Sequence, residues 1–169
     1  MAKGLYSKYK NFLIKHQLFD NNIFNYIKNN SVWVDFKSLE DYNSYGCSTV
    51  LDERGRLVQV IPCVPFLNDD ISIAINVFVY VEALILISLI GRKIDNKYID
   101  RKWPFIFFKL YLLENKDLLE YQEKIEFSDT SKYSDDLIYG YCHDDFNLKI
   151  YARMIKRRAK DYLSNKKDI

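Results

Sequence analysis

The sequence predicts a mainly α-helical single domain, residues 1–169, built around a buried central helix at about 70–90 with a small β-hairpin at about 48–61. Three observations predict it. Ile71 to Ile90 is an almost unbroken apolar run, amphipathic segments of helical period lie on both sides of it, and Glu53-Arg54-Gly55 separates two short segments rich in β-branched residues.

The elements follow in chain order. Leu5, Tyr9, Phe12, Leu13 and His16 recur at helical spacing and predict a helix over about 4–17. Asp20 reads as the cap of a second, short helix that turns Ile23, Phe24 and Ile27 inward and ends at Asn29-Asn30-Ser31. VWVDF at 32–36 fits either a strand or a helix start, and Asn43 to Gly46 is loop-like. STVLD at 48–52 and RLVQVI at 56–61 form the hairpin, with Pro62 and Pro65 expected to close it off or to sit at an edge.

The central run is too long for a strand, which usually has about 5–6 residues, so a helix is expected. Asn68, Asp69 or Asp70 can cap its start, and Gly91 followed by Arg92 and Lys93 suits its end. Asn76, Tyr80, Glu82 and Ser88 share no single face, so the helix must be surrounded. An acidic residue near a bilayer centre costs about 2.5–3.5 kcal/mol on insertion scales, and Glu82 therefore favours a protein surrounding over lipid.

Pro104 then suits the first turn of a helix in which FIFFKLYLL, 105–113, is apolar except at Lys109. Residues 117–126 predict a more polar helix, 128–134 a polar connection, and Ser134-Asp135-Asp136 the cap of a short helix interrupted by Gly140. The last segment places Leu148, Tyr151, Ile155, Ala159 and Tyr162 on one face. Asp144 and Asp145 stand early in it and Arg153, Lys156, Arg157, Arg158 and Lys160 later, a helix polarised along its dipole.

Composition narrows the class of function. A hydrophobic share of 49% and an aromatic share of 16% argue for an ordered globule, and a net charge of +2 gives no strong overall field toward nucleic acid or acidic substrates. Cys47, Cys63 and Cys142 are odd in number and widely spaced, so no disulfide framework is expected. MAKGLYSKYKNF shows no apolar stretch followed by a small-residue cleavage site, and the expected location is the cytoplasm.

Chemistry is sparse. Cys142-His143-Asp144-Asp145 gathers a thiol, an imidazole and two carboxylates, but adjacent side chains do not converge on a metal, and Cys–His catalysis needs a partner from another element, such as His16. A capping turn with a small buried cysteine explains the same residues. Glu82, a carboxyl in apolar surroundings, is expected to pair with a Lys, Arg or Tyr of a packing helix or to reach the surface at one edge. The basic stretch 149–167 reads as a solvated helix face, and no phosphate loop, dinucleotide fingerprint, HExxH or GxSxG occurs. No enzyme activity, cofactor, metal site or small-molecule substrate is expected.

As a whole, a single cytoplasmic domain without a catalytic motif resembles the immunity proteins of bacterial contact-dependent growth inhibition and related polymorphic toxin systems. The resemblance is one of type across the full chain. It implies a protein that binds one cognate secreted toxin domain, commonly a nuclease, and blocks it. A nuclease attracts phosphate and tends to be basic around its cleft, so its inhibitor should offer carboxylates with aromatic anchors. Two stretches qualify: Asp135, Asp136, Asp144 and Asp145 with Tyr133, Tyr139 and Tyr141, and Glu40, Asp41, Asp52 and Glu53 with Tyr42 and Tyr45. Alternative readings are a nucleic-acid-associated protein using the basic C-terminal helix, and a single-span membrane protein anchored by 71–90.

Overall fold

Helix α1 (Ala2–Lys15) turns Phe12 and Leu13 into the core, with His16 just beyond its end. The Leu18 N–H donates back to the Leu13 carbonyl at 2.8 Å and the Gln17 N–H to that of Ile14 at 3.1 Å. Gln17 takes a left-handed conformation, φ 61, so the helix closes in a Schellman turn without glycine. The expected extension to residue 17 stops two residues earlier for that reason. The computed structural model describes residues 2–34, 46–65, 70–94, 102–115 and 140–166.

Helix α2 (Asn21–Asn30) starts as expected. Asp20 is extended, φ −146 and ψ 133, and its carboxylate accepts the N–H groups of Asn22 and Ile23 at 2.9 and 3.1 Å. Ile23, Phe24 and Ile27 are buried. Ser31 follows in extended conformation and leads into strand β1 (Val32–Val34), so the ambiguous VWVDF segment resolves as a strand at its first three residues.

β1 completes a three-stranded sheet with β2 (Gly46–Leu51) and β3 (Leu57–Pro65), in the order β1-β3-β2. β2 and β3 form the predicted hairpin, antiparallel from Gly46↔Cys63 to Leu51↔Leu57 with an irregularity between Val50 and Leu51. β1 runs parallel to β3, with Val32↔Cys63 and Trp33↔Val64 in register. Pro62 departs from expectation: it neither ends the strand nor lies on an edge strand, but stands inside the central one, opposite Cys47. The Cys47 N–H points to Glu82 instead of to β3, which makes Cys47↔Pro62 a pair that exchanges no amide bonds. The missing Pro62 donor therefore faces the β1 side, one residue before β1 begins to pair.

Helix α3 (Asp70–Ile87) is the predicted central helix, and Tyr80, Phe78, Val81, Ala83 and Leu84 are fully buried. It packs against α1, α2, β2, β3 and two helices that follow it. Protein surrounds it, and at about 1.5 Å per residue its 18 residues fall short of a hydrocarbon core of about 30 Å. Among the described residues no helix is long and apolar enough to cross a membrane. The expected caps Asn68 and Asp69 lie outside the described residues. At the other end Gly91, φ 90, leaves the helix direction, and its N–H donates to the Leu57 carbonyl at 2.7 Å while Leu57 returns its own N–H to Arg92. The hairpin is thereby fastened to the end of α3.

Helix α4 (Lys102–Glu114) carries Pro104 in its first turn, where a missing N–H costs nothing. It is buried from Pro104 to Leu112, Lys109 included; the Lys109 ammonium lies 5.4 Å from the Phe105 ring centre. The polar helix expected at 117–126 and the connection at 128–134 lie outside the described residues. Residues 140–143 are helical, so Gly140 belongs to a helical turn instead of interrupting one. After Asp144, helix α5 (Asp145–Lys166) lays Leu148, Ala152, Ile155, Ala159 and Leu163 against the core. Among the described residues one hydrophobic cluster runs through α1 to α5 and β3, and the fold is mainly helical with a small sheet.

Candidate functional site

The densest group of reactive residues, Cys142 to Asp145, is a capping turn. The Asp144 carboxylate accepts the Asn147 N–H at 3.1 Å, and the Asp144 carbonyl accepts that of Leu148 at 3.2 Å. The Cys142 thiol lies 3.7 Å from the Ile106 carbonyl, and burial pushes it up to about 11, so it is a protonated thiol at neutral pH. His16, its conceivable catalytic partner, is engaged elsewhere. Its Nε2 is 2.9 Å from Glu114 Oε2, while the Lys15 ammonium takes the other carboxylate oxygen.

Tyr141, from the first predicted contact surface, is half-buried instead of projecting. Its ring meets Trp103 edge-on at 5.1 Å, and the Lys102 ammonium lies 5.0 Å from its centre. Trp103 in turn stacks on Tyr151 of α5 at 3.9 Å and 7°, which ties the turn and α5 to α4. Asp144 caps and Asp145 opens α5; Tyr133, Asp135, Asp136 and Tyr139 lie outside the described residues.

The second predicted surface is not an acidic patch where it is described. Asp52 accepts the backbone N–H groups of Arg54 and Arg56, both at 2.9 Å, and the Arg56 guanidinium at 3.0 Å. The Arg56 amide first, then those other donors, hold its carboxyl below the ordinary range. Glu53 beside it is exposed, but Arg54, Arg56 and Lys93 share the same tip, with Arg56 bridged to Lys93. Glu40 and Asp41 lie outside the described residues.

Glu82 was expected to pair with a packing helix or to reach the surface at one edge. It does not reach the surface: its carboxylate accepts the Cys47 amide of β2 at 2.6 Å, and the residue is only 5% exposed. Cys47 lies on the edge strand, so an amide that faces away from the sheet finds its acceptor on the helix beneath. Among the described residues no three His, Cys, Asp or Glu side chains gather in a way that could hold a metal.

What periodicity reading passed over is the outer face of α5. Phe146, Ile150 and Met154 stand four residues apart and are 72, 47 and 39% exposed. Lys149, Arg153, Arg157 and Arg158 are exposed around them, and Arg153, Met154, Arg157 and Arg158 line a shallow depression with Asp161. The Arg153 guanidinium is held by the Gln17 side chain of the α1 turn, and Lys160 approaches Asp20 at 3.8 Å. The signal was present as the i, i+4, i+8 spacing. It was hidden because the stronger apolar stripe from Leu148 to Tyr162 accounts for the same helix.

The chain matches no family model, and no curated protein or solved structure is similar to it.

Proposed function

We propose that this protein is a toxin-neutralising immunity protein: a non-catalytic cytoplasmic binder that holds a cognate toxin domain and blocks it. One observation carries the reading: the reactive groups described are committed to architecture. Glu82 satisfies a strand amide, Asp144 caps α5, Asp52 closes the hairpin turn, and the Cys142 thiol is protonated against a helix carbonyl. Such a molecule acts by presenting surface, and a binder of this kind needs a rigid frame of the sort that the interlocked α3, α4 and hairpin supply.

The charge distribution bears on which toxin surface is met. A nuclease cleft, being basic, would be met by the acidic stretch around Asp135 and Asp136 and by Glu40 and Asp41, not by α5 or the hairpin tip. The test is co-expression with a toxin domain encoded directly beside this gene. A stable heterodimer on gel filtration, with the toxin's activity lost in the complex, is the expected result. Absence of such a neighbour, or separate elution of the two chains, would remove this reading.

A further inference from the structure

We infer that the outer face of α5 is a peripheral docking surface for an anionic lipid bilayer, a role beyond the toxin-binding reading. Charge is the first argument. α5 carries seven basic side chains against two acidic ones, a net of +5, so with a chain total of +2 the remainder of the protein is −3. The positive field is thus concentrated on one helix.

The arrangement of apolar groups selects the occupant. Phe146, Ile150 and Met154 form a ridge about 12 Å long that winds through about 80° around the helix, so all three fall on one face with Ile150 at its centre when the helix lies flat on a plane. Lys149 and Arg153 flank one side of the ridge, Arg158 the other, and Arg157 stands within it, all at the level of lipid headgroups. Long basic side chains lay their stems along the acyl boundary and keep their charge at the surface. A nucleic acid would use the cations and stack a base on Phe146, yet it offers nothing to the aliphatic Ile150 and Met154. Anionic lipid uses the ridge and the cations together, and Asp161, the acidic member of the face, is outnumbered there by Lys149, Arg153, Arg157 and Arg158.

The buried face of α5 makes the presentation rigid. Leu148, Ala152, Ile155 and Ala159 lock the helix into the core, and the Gln17 contact positions Arg153, so binding needs no folding step. This differs from an anchor in α3, which is enclosed by protein.

Sedimentation of the full chain with vesicles tests the inference. Vesicles of phosphatidylcholine mixed with phosphatidylglycerol should carry the protein down at low salt, with the bound fraction falling as salt rises, whereas pure phosphatidylcholine should leave it in solution. The double variant Phe146→Ser/Ile150→Ser and, separately, Arg157→Gln/Arg158→Gln should each weaken retention about tenfold or more. These positions are exposed, so each variant should keep the fold, which circular dichroism checks. No retention of the wild-type protein on anionic vesicles would overturn the inference. So would retention unchanged in the Phe146/Ile150 variant, or binding to poly(U) that is tighter than to vesicles and indifferent to that variant.

Discussion

The carboxylate of Glu82, in the middle of the most apolar helix of the chain, accepts the backbone amide of Cys47 at 2.6 Å. An acidic residue and an edge strand, 35 positions apart, solve each other's problem: the amide gains an acceptor and the buried carboxylate a donor. Glu82→Ala leaves the Cys47 N–H without that acceptor in a buried place and opens a cavity. A loss of about 2–4 kcal/mol in urea unfolding is expected, with Glu82→Gln, which keeps an acceptor oxygen, losing clearly less. Equal losses for the two variants would show that the bond contributes little.

Tyr80 fastens the α1–α2 connection to α3. Its hydroxyl donates to the Leu18 carbonyl at 2.8 Å and accepts the Asp20 N–H at 3.3 Å, and burial raises its pKa far above the ordinary tyrosine value. Tyr80→Phe keeps the ring and strands both backbone groups, so thermal unfolding should show a loss of about 1–3 kcal/mol. Hydrogen exchange at the start of α2 should rise with it, since the Asp20 cap loses its tether.

Acid sensitivity centres on Glu114. Burial alone would raise its carboxyl, but hydrogen bonds from His16 and Lys15 outweigh it and hold the pKa below the ordinary glutamate value. A carboxylate depressed in the folded state adds stability above its unfolded pKa and loses it as pH falls through the folded one. Glu114→Gln should therefore cost about 0.5–1 kcal/mol near pH 7, and the gap from wild type should shrink as pH drops below the carboxylate range. Denaturant melts at neutral and at strongly acidic pH read this directly; a gap that widened on acidification would contradict the assignment.

The thiol of Cys142 provides a chemical check on the turn before α5. With its pKa raised to about 11 by burial, its thiolate at pH 8 is scarcer than that of an ordinary cysteine by about two orders of magnitude. Iodoacetamide should alkylate it at least about a hundredfold more slowly in the native protein than in urea, as followed by peptide mass spectrometry. Fast native alkylation would mean that the thiol is open to solvent and ionised.

How far residues alone reach is clearest from the elements whose partners are close in sequence. Asp20 caps α2 two and three residues ahead, Asp144 caps α5 at Asn147, and Asp52 closes its turn on Arg54 and Arg56. The first two were visible because the donor and acceptor fall within one turn of chain, whereas the equally local bonds of Asp52 were passed over when it was read for its charge. The candidate partner-binding residues fared differently. Asp52, Tyr141 and Asp144 were chosen for charge and ring type, yet local bonds or packing already engage them, and sequence type cannot distinguish a free carboxylate from a cap.

The sequence by itself determined that α3 is a buried helix, that β2 and β3 form a hairpin, and that α5 has an inward apolar stripe, because apolar periodicity and turn chemistry act over short stretches. Tertiary structure alone decided that β1 pairs in parallel with β3, that Pro62 sits inside the central strand, that Glu82 serves Cys47 and His16 meets Glu114, and that Phe146, Ile150 and Met154 stay outside. Those outcomes depend on which surfaces of distant segments meet. A side chain's burial and bonding partner are then set by neighbours 98 or even 136 positions away, which no local pattern records.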